Sequence, residues 1–391
     1  MSKNIRENIK LETQKQRSPT SITVESVQPA VTRYRVVGGA HELLIMRPAP
    51  IVTVRGLSSV HALLDFERCT NPGVCGNKAR KLASLQSLAA GHTVASHGGS
   101  QSNAMLALAC LCHARGARLT YHVRPLPRWL RNNPTGNLRR ALDLGMNLEE
   151  HQSASDYEMA IHAARSTPGL FVPQGAAWPG AESGVAGLAD DIDRWWRSRN
   201  EATPLSVVVP AGTGTTALFL ARHVPPSIRV FAVPCVGGPE GLLAQMHELD
   251  SKSGAHGVLP EVLAPPPELI TPFAAPSGHV LRAWREAAVT HGLLLDLVYG
   301  AIAWGTLAAH GYAPCGGASA ATLYVHCGGL EGVSTSLRRY EREGLLREGE
   351  STADAVDAVA NEAQAALLAD PTVQTDGFSA RALEMVHAGF V

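Results

Sequence analysis

Two short polar segments contain residue types that can bind and activate a small molecule. Residues 76–82 read Gly-Asn-Lys-Ala-Arg-Lys-Leu, and residues 98–103 read Gly-Gly-Ser-Gln-Ser-Asn. Leucines at helical spacing predict a helix over residues 79–88, with Lys78 and Lys81 on one face of its first turn. The positive end of the helix dipole would lower the pKa of Lys78 from about 10.4. More of its side chain would then be neutral amine, the form that attacks a carbonyl group.

The second segment lies between an expected strand and an expected helix. Residues 93–96 form a short strand-like run, residues 103–113 are almost entirely apolar, and Gly116 is suited to end the helix. Backbone N–H groups at the helix start, capped by Ser100 or Ser102, would bind a carboxylate or a phosphate. An ordinary tight turn between a strand and a helix remains the alternative for this segment alone.

A third loop is rich in glycine and threonine. Residues 210–216 read Pro-Ala-Gly-Thr-Gly-Thr-Thr and connect an apolar strand at 205–209 to an apolar helix start at Ala217. This arrangement predicts a phosphate-binding loop. The Gly-Lys-Ser/Thr ending of nucleoside triphosphate loops is absent, and so is the third glycine of a dinucleotide fingerprint. One phosphate monoester is therefore the expected ligand.

In these segments the chain resembles the fold type II pyridoxal 5'-phosphate (PLP) enzymes, which include tryptophan synthase beta. Within them it is similar to the branch of 1-aminocyclopropane-1-carboxylate (ACC) deaminase and D-cysteine desulfhydrase. The resemblance covers roughly residues 50–340, and further matching segments follow in order at residues 136–138, 144–145, 173–175, 296–299 and 326–329. It implies an α/β fold of two three-layer domains with twisted, mostly parallel sheets and the cofactor in the cleft between them.

The family fold also implies a division of the chain. The large PLP-binding domain would comprise residues 46–75 and 190–345, with a small domain at 76–189 inserted into it. Residues 1–45 would be a flexible N-terminal extension and residues 346–391 a helical C-terminal extension. Strands alternating with helices agree with this fold, and the clearest predicted strands are at residues 118–123, 205–209, 228–233 and 322–326.

The resemblance assigns roles to individual residues. Lys78 would form the Schiff base with the cofactor and move the substrate proton, Ser102 would relay a proton or attack, and Tyr299 would exchange protons with the substrate. The implied cofactor-binding residues are Lys78, Asn77, Lys81 near the phosphate, Asn103 on the pyridine hydroxyl, Gly212, Thr213, Gly214, Thr215, Thr216, and Cys327 near the ring nitrogen. The implied substrate-binding residues are Ser100, Gln101, Ser102 and Tyr299.

Three positions depart from the family pattern. Gly300 stands where the deaminase has an acid that protonates the pyridine nitrogen, and the thiol of Cys327 is a weak partner for that nitrogen. The segment from Phe273 to Ser277 lacks a family tyrosine, and Ala104 replaces a larger polar residue. A weaker electron sink favours elimination of a good β leaving group over opening of a strained carbon ring.

These features predict a cytoplasmic, homodimeric PLP-dependent lyase. It would act on a small amino acid by β-elimination or deamination, as a desulfhydrase or deaminase does, and give a 2-keto acid and ammonia. Two alternatives stay open. One is PLP-dependent β-replacement of the cysteine synthase type in specialised metabolism. The other is a catalytically degenerate protein that binds PLP without turnover.

Composition narrows the classes of partner. The chain has 34 basic and 34 acidic residues, so it predicts neither nucleic-acid nor membrane binding. The first twenty residues lack the apolar core of a signal peptide or an anchor. Seven cysteines without paired spacing argue against a disulfide framework and favour a reducing compartment. The sixteen histidines are scattered without ligand spacing, so the sequence predicts no metal site.

Overall fold

The computed structural model describes residues 48–68, 73–201, 203–316, 320–348, 350–352 and 354–356, together with Ala382 and Val386. The predicted N-terminal extension, residues 1–45, and most of the predicted C-terminal extension lie outside these residues. Residues 352 and 354–356 are helical, as are Ala382 and Val386. No helix within the described ranges is both long enough and apolar enough to cross a membrane.

Ten strands and eleven α-helices make up the described chain. The strands are β1 (Ile51–Thr53), β2 (Val60–Leu64), β3 (Thr93–His97), β4 (Arg118–Val123), β5 (Asn147–Glu150), β6 (Leu170–Val172), β7 (Leu205–Ala211), β8 (Ile228–Pro234), β9 (Glu261–Val262) and β10 (Ala321–His326). The helices are α1 (Gly76–Lys81), α2 (Asn103–Arg115), α3 (Arg128–Asn132), α4 (Gly136–Asp143), α5 (Ala154–Ser166), α6 (Glu182–Arg199), α7 (Thr215–His223), α8 (Gly238–Lys252), α9 (Gly278–His291), α10 (Gly300–Ala309) and α11 (Val333–Arg342).

The strands form two sheets, and both are mainly parallel. The larger sheet has the order β1-β2-β10-β7-β8-β9, in which only β1 runs antiparallel to its neighbour. The smaller sheet has the order β5-β4-β3-β6, and all its strands are parallel. Parallel neighbours require crossover connections, which the helices supply. The predicted α/β fold with mostly parallel sheets is confirmed.

The larger sheet is covered by helices on both faces. All seven residues of β7 are buried, as expected for a central strand of such a sheet. Its residues alternate between two apolar clusters: Val208 packs in the cluster that contains Trp284 of α9 and Trp304 of α10. Val207 lies in the cluster that contains Leu218 of α7. Helix, sheet and helix thus form three layers.

The division into domains stays a prediction. All four strands of the smaller sheet lie between residues 93 and 172, inside the segment predicted as the small domain. Helix α1 is held against α6 by Arg80, whose buried guanidinium donates to Asp65 at 2.8 Å and to Asp191 at 2.9 Å. This pairing fixes α1 next to the larger sheet.

The predicted helix over residues 79–88 is wrong in its limits. Helix α1 begins at Gly76 and ends at Lys81, and a 3₁₀ turn follows at Ala83–Ser87. The leucines that suggested the longer helix recur every three residues, a spacing that also suits a 3₁₀ helix. Lys78 and Lys81 still lie three residues apart in one helix, as predicted.

Candidate active site

A cleft of about 1170 Å³ lies where the carboxyl ends of several parallel strands meet. Loops that follow β3, β7 and β10 border it, together with the start of α1. This is the usual position of ligands in α/β proteins with parallel sheets. Every residue that the sequence predicted for the site lines this cleft: Asn77, Lys78, Lys81, Ser100, Gln101, Ser102, Asn103, Gly212, Thr213, Gly214, Thr215, Thr216, Tyr299 and Cys327.

Lys78 presents its amine inside the cleft. Its Nζ donates to Oδ1 of Asn77 at 2.7 Å. Burial lowers the pKa of Lys78, and the nearby carboxylate of Asp296 opposes this shift. The direction agrees with the sequence prediction, but the cause differs: removal from water, rather than the dipole of a six-residue helix, disfavours the ammonium. The result favours the neutral, nucleophilic amine.

The start of α1 is held against the end of β10. The backbone N–H of Asn77 donates to the carbonyl of Cys327 at 3.2 Å. Gly76 has a φ of +56°, and a Cβ there would lie 2.0 Å from that carbonyl oxygen. Only glycine allows this approach. The contact sets the position of Lys78, two residues further along.

Lys81 is buried and turned toward the segment that follows β6. Its Nζ donates to the carbonyl of Gly175 at 3.0 Å. Burial and the charge of Lys78 hold the pKa of Lys81 well below its ordinary value. Two amines of low proton affinity therefore border one end of the cleft.

Ser102 caps helix α2. Its Oγ accepts from the backbone N–H groups of Ala104 at 3.2 Å and Met105 at 3.3 Å, and Gly116 ends the helix with a φ of 64°. Of the two candidate caps, the structure therefore selects Ser102. Because its oxygen accepts these bonds, the side chain is held in one orientation at the cleft wall.

Gln101 and Asn103 are held by Asn137 of α4. Oε1 of Gln101 accepts from the Asn137 backbone N–H at 3.0 Å, and its Nε2 donates to the Thr135 carbonyl at 3.0 Å. A substrate-binding role for Gln101 would therefore rest on its main chain. Oδ1 of Asn103 accepts from Nδ2 of Asn137 at 2.7 Å, which directs the amide of Asn103 as a hydrogen-bond donor.

The loop after β7 has the geometry of an anion site at the start of helix α7. Gly214 has a φ of +70°, and a Cβ there would lie 2.3 Å from Cγ of Met246. The hydroxyls of Thr213 and Thr215 are 2.8 Å apart, and Thr216 accepts from Nδ2 of Asn77 at 3.3 Å. Hydroxyl groups and helix N–H groups are suitable ligands for a phosphate.

Tyr299 lies across the cleft from α1. Its ring packs so closely on Gly212 that a Cβ there would lie 3.0 Å from Cε1. Its ring centroid is also 6.2 Å from that of Phe273. Burial raises the pKa of the Tyr299 phenol, so the group keeps its proton near neutral pH.

Two buried acids in the cleft were missed at the sequence level. Asp296 accepts from three backbone N–H groups at the start of α10, those of Val298, Tyr299 and Gly300, at 2.7–2.9 Å. Burial nevertheless raises the pKa of Asp296. Asp296 falls in a matching segment, so its position was available as a signal, although no role was assigned to it.

Glu331 is the second of these acids, and no motif marks it. Its Oε1 accepts from Sγ of Cys75 at 3.0 Å, while Oε2 has no hydrogen-bond partner among the described residues. Burial raises the pKa of Glu331. A buried carboxyl group with one unpaired oxygen on the cleft wall is a candidate proton carrier.

Several solved structures are similar to this chain. An ACC deaminase homologue matches with a TM-score of 0.62 and 20% identity, over 78% of this chain and 96% of that one. Diaminopropionate ammonia lyase from Escherichia coli gives 0.53 and 14%, over 76% of this chain and 87% of that one. L-serine ammonia-lyase from the fungus Rhizomucor miehei gives 0.51 and 14%, over 76% and 100%.

The chain has the fold type II architecture. No family model matches the sequence, and no curated protein does. These similar structures confirm the fold that the sequence motifs predicted. At sequence identities of 20% or less they show the fold alone, and the reaction depends on the residues of the site.

The fold type II cleft of this chain suits PLP. A buried amine, a glycine-threonine loop at a helix start and an amide donor at Asn103 border the same space. Cys327 also borders this space. Burial raises the pKa of its thiol to about 12. This thiol stays protonated near neutral pH and is a weak partner for a ring nitrogen.

Proposed function

We propose that this protein is a PLP-dependent lyase that converts a small amino acid to a 2-keto acid and ammonia by β-elimination. One observation carries the proposal: the amine of Lys78 and the loop at residues 212–216 share one cleft, and Asn77 contacts both. When bound, PLP would supply the electron sink for the reaction. The protein would supply binding, orientation and proton transfer.

Each side chain has a task that its environment supports. Lys78 would bind the cofactor covalently and, once released, hold the proton taken from Cα of the substrate, since its lowered pKa allows a neutral amine to act as a base. The loop at residues 98–102 would hold the substrate carboxylate. Glu331, whose raised pKa favours the protonated form, would donate a proton toward the leaving group, and Tyr299 would exchange protons with the substrate.

The residues that the family resemblance places around the ring nitrogen would favour elimination over ring opening. Cys327 is a protonated thiol, and the carboxylate of Asp296 already accepts three backbone hydrogen bonds. No carboxylate follows Tyr299, because that position is Gly300. An electron sink whose ring nitrogen has no strong proton donor requires a good leaving group at Cβ of the substrate. D-cysteine and L-cysteine meet this requirement better than ACC.

Cofactor attachment is the first test. The purified protein is expected to show visible absorbance with PLP, and borohydride reduction followed by peptide mapping should find the label on Lys78. Lys78→Ala should lose the absorbance. Lys252→Ala is the matched control, because Lys252 also lines the cleft but pairs with Glu248 on an exposed helix face. A label on another lysine would contradict the assignment.

Turnover is tested separately with D-cysteine, L-cysteine and ACC. Release of keto acid and ammonia from one cysteine isomer would support the lyase and define its stereochemical preference. A bound cofactor with no product from any amino acid tried would instead indicate a degenerate PLP-binding protein.

A second candidate reaction is β-replacement. The cleft extends to Trp129, which is exposed, and to Arg342, whose guanidinium lies 5.0 Å from the Trp129 ring centroid. This leaves room for a second nucleophile beside a small amino acid. If an added thiol enters the product, replacement is supported. Keto acid as the sole product in the presence of that thiol supports elimination.

We also propose a homodimer in the cytoplasm. The compartment is supported by five cysteines that form no disulfide, three of them buried: Cys110, Cys112, Cys235, Cys315 and Cys327. The dimer follows from the family resemblance. Light scattering on the purified full chain would test it, and a mass corresponding to one chain would exclude it.

A further inference from the structure

Outside the cleft, the smaller sheet brings together three side chains that are typical metal ligands. Strand β4 pairs with β5 so that His122 lies opposite Glu149. His151 follows β5 directly and continues its pairing with β4, because its N–H donates to the carbonyl of Val123 at 3.0 Å. It is two residues beyond Glu149, and side chains at this spacing along paired strands point to the same face. The three ligand atoms all lie within 4.8 Å of one another. The register of β4 against β5 brings these side chains together. The spacing of residues along the sequence does not predict that register.

The distances within this cluster suit an ion better than a proton. Nδ1 of His122 lies 3.0 Å from Nε2 of His151 and 3.2 Å from Oε2 of Glu149. A single proton on Nδ1 can be donated to only one of these two acceptors. In a tetrahedral zinc site with bonds of about 2.0–2.1 Å, neighbouring ligand atoms are about 3.3 Å apart. An ion would satisfy all three ligand atoms at once.

We propose that His122, Glu149 and His151 bind one divalent transition-metal ion, with zinc as the best match to two imidazoles and one carboxylate. Three protein ligands leave the fourth tetrahedral position open to water. His122 is buried, His151 is partly buried, and Glu149 is exposed. The ion can therefore enter from solvent, and Glu149 has the freedom to complete the coordination.

The neighbouring side chains limit the ligand set to these three. His97 lies opposite His122 on β3, but both its ring nitrogens are engaged. Its Nδ1 lies 3.0 Å from the Tyr157 hydroxyl, and its Nε2 accepts from the Gln174 backbone N–H at 3.3 Å. On the open side, Nδ2 of Asn147 lies 3.5 Å from Oε1 of Glu149 and helps to orient that carboxylate.

The proposed metal site adjoins the cleft through the backbone. The carbonyl of His122 accepts from the N–H of Gly98 at 3.1 Å, and Gly98 begins the loop that lines the cleft. A metal bound at His122 would therefore stabilise the strand end that supports this loop. The site would be structural with respect to the cleft, because none of its three ligands lines it.

Zinc titration of the full-chain protein with PLP bound tests the proposal. After dialysis against a chelator, zinc is added in competition with a chromophoric indicator. We expect one tight equivalent per chain. His122→Ala and His151→Ala should each weaken binding by at least about 100-fold, since loss of even an outer hydrogen bond costs about 10–100-fold. Glu149→Gln should weaken it by at least about 10-fold.

The controls separate a built site from adventitious binding to surface histidines. His247→Ala, on the exposed face of α8, should bind zinc as the parent protein does. Retained PLP absorbance shows that each variant is folded. No tight equivalent in the parent protein, or equal affinity in the parent and the His151→Ala variant, would overturn the proposal. X-ray absorption should give two nitrogen ligands and oxygen.

Discussion

The side-chain nitrogen of Asn77 donates to the hydroxyl of Thr216 across 3.3 Å. The carbonyl oxygen of the same amide accepts from Nζ of Lys78 at 2.7 Å. One buried side chain therefore holds the amine and the glycine-threonine loop at a set separation. In the proposed function, Lys78 would hold PLP covalently and the glycine-threonine loop would hold its phosphate, so Asn77 would set the distance between these two binding groups.

Removing this link should weaken cofactor binding. Asn77→Ala and Thr216→Val are each expected to lower PLP affinity about tenfold and to lower the free energy of unfolding by about 1–2 kcal/mol, because each leaves a buried polar group unpaired. Their double variant should show a coupling of at least about 0.5 kcal/mol. Asn132→Ala, on an exposed helix end, should change neither quantity. Additive effects of the two substitutions would show that the contact carries no energy.

Substitution of Gly76 should cost more stability than substitution of Gly56, although both glycines have a positive φ. Gly76 and Gly56 have φ values of +56° and +75°, but a Cβ at Gly56 meets nothing within 4 Å. Gly56→Ala should cost about 1–2 kcal/mol from its dihedral angle alone. Gly76→Ala should cost about 1–3 kcal/mol more, because its Cβ overlaps the Cys327 carbonyl. Urea unfolding measures both, and equal losses would contradict the close approach.

We expect that position 300 must be glycine, because Asp296 leaves no space there for a side chain. The acid of the family pattern could then not be placed at this position. A Cβ at Gly300 would lie 2.9 Å from Oδ2 of Asp296 and 3.1 Å from Cβ of Leu295. Gly300→Ala should lower the free energy of unfolding by about 1–3 kcal/mol, and Gly300→Glu should do no better. Gly241→Ala, in open space on α8, should raise it by about 0.4–1 kcal/mol. Thermal unfolding distinguishes them, and a more stable Gly300→Ala protein would refute the steric explanation.

The thiol of Cys327 should react slowly with alkylating reagents. Its raised pKa of about 12 means that the thiol keeps its proton well above the ordinary value of 9.0, so the reactive thiolate is scarce near neutral pH. We expect the rate of iodoacetamide labelling at Cys327, measured by mass spectrometry, to go on rising beyond pH 10. A plateau near pH 9 would show an ordinary thiol. Bound PLP should protect the residue further.

Much of the fold was predictable because its signals are local. The segment Arg118–Val123 is a strand with the predicted limits, and helix α2 is capped by Ser102 and ended by Gly116 as expected. Such features depend on side-chain alternation, periodicity and turn chemistry over a few residues. The polar segments at residues 98–103 and 212–216 follow strands β3 and β7 as predicted, and the family resemblance implied that they meet Lys78 in one cleft.

Tertiary structure decided what depends on distant neighbours. The sequence alone determined the α/β fold class and many of the residues that border the cleft. Only packing decided that α1 stops at Lys81, that burial rather than the helix dipole lowers the pKa of Lys78, and that Glu331 is buried on the cleft wall. The cluster of His122, Glu149 and His151 likewise requires the register of β4 against β5. Burial and strand register arise from contacts between residues far apart in the chain. Local sequence patterns do not predict such contacts.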